Sequence, residues 1–191
     1  TLTFTSGELS TTADVTVVAG NYKTVKITTE ASQAAINNTA LAIQPAVQLI
    51  DANKNNVITA GVTVTATITQ FPTGASDTNS KLDNPTATTN AQGIATFTDL
   101  GITGLIGAYT LGYTPDNGVT QASEKTVTLK SGVATQLIVL TAAVGPVGDD
   151  DAGTWSLTQS PVIGLRDISD NPVKKENVTV TATVTGQAPT T

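Results

Sequence analysis

Between Val62 and Thr69 the chain alternates without a miss: Val62, Val64, Ala66 and Ile68 against Thr63, Thr65, Thr67 and Thr69. Successive side chains of a strand point to opposite faces, so this stretch predicts a strand with one buried and one solvated face. It belongs to a longer run, Pro45 to Thr69 (PAVQLIDANKNNVITAGVTVTATIT), which returns degraded but readable as PVIGLRDISDNPVKKENVTVTATVT from Pro161 to Thr185, 116 residues later. Each copy opens with a short apolar run ending in an aspartate, Asp51 or Asp167, and continues through a turn into the alternating strand.

Fainter echoes extend the repeat. Thr110–Thr114 matches Thr1–Thr5 at an offset of 109, and Gly132 and Leu137 match Gly20 and Val25 at 112. An offset that grows along the chain is what loops gaining residues between fixed strands would produce. One period of about 110 residues therefore describes the whole sequence.

The remaining elements follow from the same reading. Leu2 and Phe4 alternate with Thr, Gly7 marks a turn, and Val15 and Val17 resume the period of two. Thr24–Thr29 and Val47–Asp51 read as strands, with Val47, Leu49 and Asp51 on one face and a short segment at Ala40–Gln44 before them. Residues 71–85, with Pro72, Gly74 and Pro85, read as a long exposed loop, and Gly101–Gly107 as a bend. Thr86–Thr89 and Ile94–Thr98 are strands joined at Asn90–Gly93, and Tyr109–Thr114 pairs with Thr126–Lys130 around Asp116-Asn117-Gly118.

About seven strands per period, with turn signals every 8–12 residues, predict an all-β protein of tandem immunoglobulin-like β-sandwich domains, one complete and two partial. A jelly roll or small barrel is the alternative. The expected boundaries are 1–20 for the closing strands of a preceding domain, 21–136 for a complete one and 137–191 for the opening strands of a following one. Residues 135–140 are expected to carry a strand across the joint.

Composition narrows the chemistry. The net charge is −6, which disfavours nucleic acid and anionic membrane as partners, and no apolar run reaches the length needed for membrane insertion. Cys, His and Met are all absent, which removes disulfides, thiolate or imidazole metal sites and a histidine base. The missing Met also leads us to expect that residue 1 is not a translation start and that the chain is a window on a longer array. Thr, about a fifth of the chain, suits pleated half-exposed surfaces.

The runs TATTNAQGIATFTDLGITGLIGAYTLGYT and TVTLKSGVATQLIV, with PAVQLIDANKNNV and AGVTVTATIT before them, resemble the bacterial immunoglobulin-like repeats of the invasin and intimin type. The resemblance covers residues 24–139 and is most specific at 90–100 and 107–111. It implies a rigid stalk or display module without catalysis, of a kind found in surface adhesins and in structural proteins of tailed phages. It transfers no binding residues.

Several positions invite chemistry. Asp51, Asn53, Asn55 and Asn56 space oxygens as a calcium loop does, yet the closing bidentate Glu is missing and an Asx turn fits the same residues. Asp149, Asp150 and Asp151 would either bind calcium at an interdomain joint or form a solvated acidic loop. Calcium is thus the one cofactor candidate. Trp155, the single tryptophan, either packs on a core edge or offers a ring to a glycan. The outward threonines 63, 65, 67 and 69, with 179, 181, 183 and 185, suit an ordinary solvated face better than a flat ligand face. Lys26 and Lys125 would need burial beside a carboxylate to form an isopeptide cross-link. Asn37 and Asn177 open glycosylation sequons.

No pair of carboxylates or Ser/Lys set stands out as catalytic. The expectation is a non-enzymatic structural or adhesive spacer on the bacterial cell surface, with neighbouring repeats and a host protein or glycan as partners. A virion component and a carbohydrate-binding module centred on Trp155 are the alternatives.

Overall fold

The computed structural model describes residues 1–147 and 156–183, and every described element is β. The chain divides into two compact units, Thr1–Lys130 and Ser131–Thr191.

The first unit begins with a hairpin. Strands β1 (Leu2–Ser6) and β2 (Leu9–Ala13) pair antiparallel across Gly7, whose φ of +61° is the left-handed conformation that glycine adopts without steric cost. Phe4 and Leu9 are exposed. The alternation expected to continue through Val15 and Val17 does not make a strand: both are exposed and residues 14–20 are irregular.

A β-sandwich follows over residues 24–130. Its strands are β3 (Thr24–Thr29), β4 (Ala34–Ile36), β5 (Thr39–Ala40), β6 (Ala46–Ile50), β7 (Thr63–Gln70), β8 (Lys81–Asp83), β9 (Thr86–Thr88), β10 (Ile94–Thr96), β11 (Gly101–Thr103), β12 (Gly107–Pro115) and β13 (Gln121–Lys130). They form a five-stranded sheet in the order β4-β13-β12-β7-β9 and two three-stranded sheets, β10-β6-β3 and β5-β11-β8. All these pairings are antiparallel except β4 with β13. The core draws on all three sheets: Val25, Val47 and Leu49, then Ile102, then Val64, Leu111, Tyr113 and Leu129.

The alternation of β7 is realised as written. Val64 and Ala66 are buried, whereas Thr63, Thr67 and Thr69 are exposed and Thr65 is half-buried. Elsewhere the structure departs from the expected seven strands. The stretch 71–85 contains β8, and the supposed bend at Gly101–Gly107 begins with β11, which pairs on one side with β5 and on the other with β8. Strands of two or three residues are too short to show a period, so only their partners reveal them. Strand β6 was expected to bury one face, but all five of its residues are buried. Its second face is covered by the chain after Asn56 and by the turn at Gln92-Gly93, to which the Gln48 amide donates.

The second unit repeats the β3–β6 pairing of the sandwich. Strand β14 (Gln136–Thr141) pairs with β17 (Val162–Arg166), and β15 (Val144–Val147) with β16 (Ser156–Gln159). The β14–β17 register, Gln136↔Arg166 through Val139↔Ile163, reproduces Thr24↔Ile50 through Ile27↔Val47. Even the irregularity recurs, between Val139 and Thr141 as between Ile27 and Thr29. Two expectations are corrected here. Strand β13 ends at Lys130 and β14 begins at Gln136, so no continuous strand crosses 131–135. Residues 178–183 keep the alternation but form no strand, and Val178 and Val180 are exposed. The first unit holds the equivalent strand, β7, between β12 and β9. Among the described residues nothing pairs with 178–183, and alternation without a partner does not make a sheet.

Two core tyrosines make opposite predictions. The Tyr109 hydroxyl donates to the Leu105 carbonyl at 2.6 Å and lies 2.9 Å from Ser80 Oγ. The Tyr113 ring packs on Phe97 at 5.4 Å, but its buried hydroxyl has no hydrogen-bond partner among the described residues. Burial, and secondarily the charge of Glu30, pushes the Tyr113 phenol well above its ordinary range. Tyr109→Phe should cost about 0.5–1.5 kcal/mol in urea unfolding, whereas Tyr113→Phe should cost nothing and gain up to about 1–3 kcal/mol.

Candidate functional site

The most elaborate polar constellation lies where β6 ends. Asp51 follows Ile50 directly and its side chain is turned inward, 5% exposed. Its Oδ1 accepts the backbone N–H of Asn53 and of Asn55, both at 2.9 Å, the geometry of an Asx turn. Its Oδ2 accepts the Asn55 side-chain amide at 3.0 Å and the backbone N–H of Gly20 at 3.0 Å. The backbone closes the same loop, Asp51 N–H to the Asn55 carbonyl and Lys54 N–H to the Asp51 carbonyl. Lys54 takes φ of +67° to allow it.

The copy matches bond for bond. Asp167 is fully buried. Its Oδ1 accepts the N–H of Ser169 at 2.9 Å and of Asn171 at 3.0 Å; its Oδ2 accepts the Asn171 amide at 3.1 Å and the Gly132 N–H at 2.8 Å. Asp170, at φ +62°, stands where Lys54 does. Between the two turns the Asp and Asn are kept, while Asn53 and Lys54 become Ser169 and Asp170. The kept residues are those whose side chains make the bonds. At the exchanged position Asn53 and Ser169 each donate a backbone N–H to the aspartate, a bond that does not depend on the side chain.

Four donors on two oxygens fill the lone-pair positions of a carboxylate. Together they hold the Asp51 carboxyl at about 2, below its ordinary 3.8: the Asn55 amide contributes most, then the Gly20 N–H, against an opposing effect of desolvation, with the Asn55 and Asn53 N–H groups adding to the shift. A ring of N–H donors aims partial positive charge at the place a cation would occupy. The geometry is therefore that of an Asx turn, not of a calcium loop.

The other candidates separate. Asp149, Asp150, Asp151 and Trp155 lie outside the described residues. Among the described residues no group of three or more His, Asp or Glu gathers as metal ligands do. Lys26 and Lys125 are exposed, which removes the buried setting that an isopeptide bond requires. Asn37 of the first sequon is buried, and its amide oxygen accepts the Gly104 N–H at 2.9 Å, so it is a structural side chain; Asn177 is exposed. A shallow polar groove lies among Asn38, Asp83, Asn84 and Asp99, but Asp83 is already bonded to Lys81 and to the Thr103 hydroxyl. Sequence reasoning left Gly20 and Gly132 without a role. Their signal was the 112-residue match, which marks them as equivalent without saying what they touch.

No protein-family model matches the sequence, and a comparison with curated proteins finds no relative. Among solved structures the chain is similar to domains 4–9 of the surface layer protein SbsC, at 18% identity and a TM-score of 0.36. That match covers 97% of this chain and 26% of the other, so the chain spans about a quarter of the structure it matches. A TM-score of that size falls short of a shared fold.

Two expectations follow for Asp51. Because its folded value lies below its ordinary one, the unfolded chain binds more protons between about 4 and 2, and stability falls as pH drops through that window. Melting temperature should be steady above pH 4 and decline toward pH 2, with a shallower decline in Asp51→Asn. At neutral pH, Asp51→Ala should melt below Asp51→Asn, since alanine leaves three backbone N–H groups and the Asn55 amide without their acceptor.

Proposed function

We propose that this chain is part of a non-enzymatic extracellular spacer, built from tandem sandwich units of the bacterial immunoglobulin-like kind and belonging to a surface adhesin, stalk or surface layer. The observation that carries the reading is the duplication itself. Strand pairing, bulge and aspartate turn recur in two units at matching positions, while the residues between them drift. A site selected for binding or catalysis keeps its chemistry. Here what is kept is the set of bonds that holds a unit together. In this reading residues 1–20 are closing strands of one unit, 21–136 a whole unit and 137–191 the opening of the next. The exposed Leu2 and Phe4 agree with it, because their equivalents in the whole unit, Leu111 and Tyr113, are core residues. A stack of such units sets a distance and projects whatever stands at its end.

Antibodies raised against residues 21–130 test the location. Labelling of intact cells of the producing organism is the expected result. Labelling confined to virus particles would replace the cell surface by a virion. Labelling that appears only after lysis would overturn the extracellular reading.

A further inference from the structure

We infer that Asp51 and Asp167 are latches that dock the chain segment leading into each unit, so that the lead-in folds as part of the unit it precedes. The inference deepens the spacer reading and rests on it only for its biological use.

An Asx turn needs local donors alone, and each of these has them: the N–H groups two and four residues on and the asparagine amide. The fourth bond is of another kind. It reaches back 31 residues to Gly20 in one unit and 35 residues to Gly132 in the other. A self-sufficient turn thus offers its remaining lone pair, in both units, to the backbone that precedes the first strand.

The same segments are tied a second time. Lys23 N–H donates to the Ile50 carbonyl, and Thr135 N–H to the Arg166 carbonyl, again at equivalent positions. In the first unit the lead-in is also held from the hairpin loop opposite. The Tyr22 hydroxyl donates to Asp116 at 2.8 Å, Val119 N–H donates to the Lys23 carbonyl at 2.7 Å, and Ala19 and Tyr22 pack against the core. The latch works through the amide and not through the absence of a side chain. A Cβ on Gly20 would stand 3.7 Å from Asp51 Oδ2, an ordinary contact. Alanine should therefore be accepted at position 20, and proline, which has no N–H, should not.

Backbone hydrogen exchange on the 191-residue chain tests this, read at the bonded amides of Gly20 and Lys23 and, as an internal control, at Leu111 and Tyr113 in β12. A charge-assisted hydrogen bond predicts at least about tenfold protection of the Gly20 amide over its unlatched rate. In Asp51→Asn that protection should drop by about tenfold while β12 is unchanged. In Gly20→Pro the Lys23 amide, which donates to the Ile50 carbonyl, should exchange about tenfold faster, and Gly20→Ala should resemble the parent. An unprotected Gly20 amide in the parent, or equal exchange in Gly20→Ala and Gly20→Pro with β12 intact, overturns the latch. If β12 itself exchanges faster in the proline variant, the Gly20 amide in Asp51→Asn decides. These results are independent of the antibody labelling, so the latch and the spacer reading fail separately.

Discussion

A strand buried on both faces must have every polar group near it satisfied, and in this protein that demand falls on β6. Gln48, within the strand, and Asp51, at its end, are both buried. An unpaired buried amide or carboxylate would cost several kcal/mol. Gln48 recruits the carbonyls of Val57, Gln92 and Gly93; Asp51 recruits the N–H groups of Gly20, Asn53 and Asn55. Through these bonds the lead-in segment, the loop before β7 and the turn before β10 all gather on one strand. The requirement also restricts what may sit beside it. Gly93, at φ +73°, lies where a Cβ would fall 1.9 Å from the Val57 carbonyl oxygen.

The second unit shows that the aspartate part of this arrangement is a unit of construction; it recurs although β17 is only half-buried and Gly164 stands where Gln48 does. Its aspartate is more deeply buried than the first, and the bonds around it match although the intervening side chains differ. Hydrogen bonds made by backbone tolerate changes of side chain, so a repeat can diverge on its surface while keeping its frame. That is the physical basis for reading function from repetition. In the spacer reading proposed above the frame supplies length and stiffness, and divergence leaves the exposed faces free to vary.

Much of the fold was legible beforehand, and the parts that were not share a cause. The strand at 63–70 and the hairpin at 107–130 announced themselves because alternation is local and both are long. Strands β5, β8 and β11 have two or three residues each, and they exist because neighbours in space complete their hydrogen bonding. The reverse error appears at Val15, Val17 and 178–183, where alternation is present and no partner stands beside it among the described residues. Of the candidate site, Asp51 and Asp167 were visible as a repeated pair. The missing closing Glu already favoured a turn over a metal ligand; the distant donors that complete each turn were not visible.

The sequence by itself determined the β class, the period near 110 residues and the solvated threonine face of β7. All three follow from which residue types alternate and recur. The tertiary structure decided what the aspartates do. A carboxylate takes its role from the donors around it, and a decisive donor on each, Gly20 or Gly132, lies more than thirty residues away and has no side chain by which a sequence pattern would single it out.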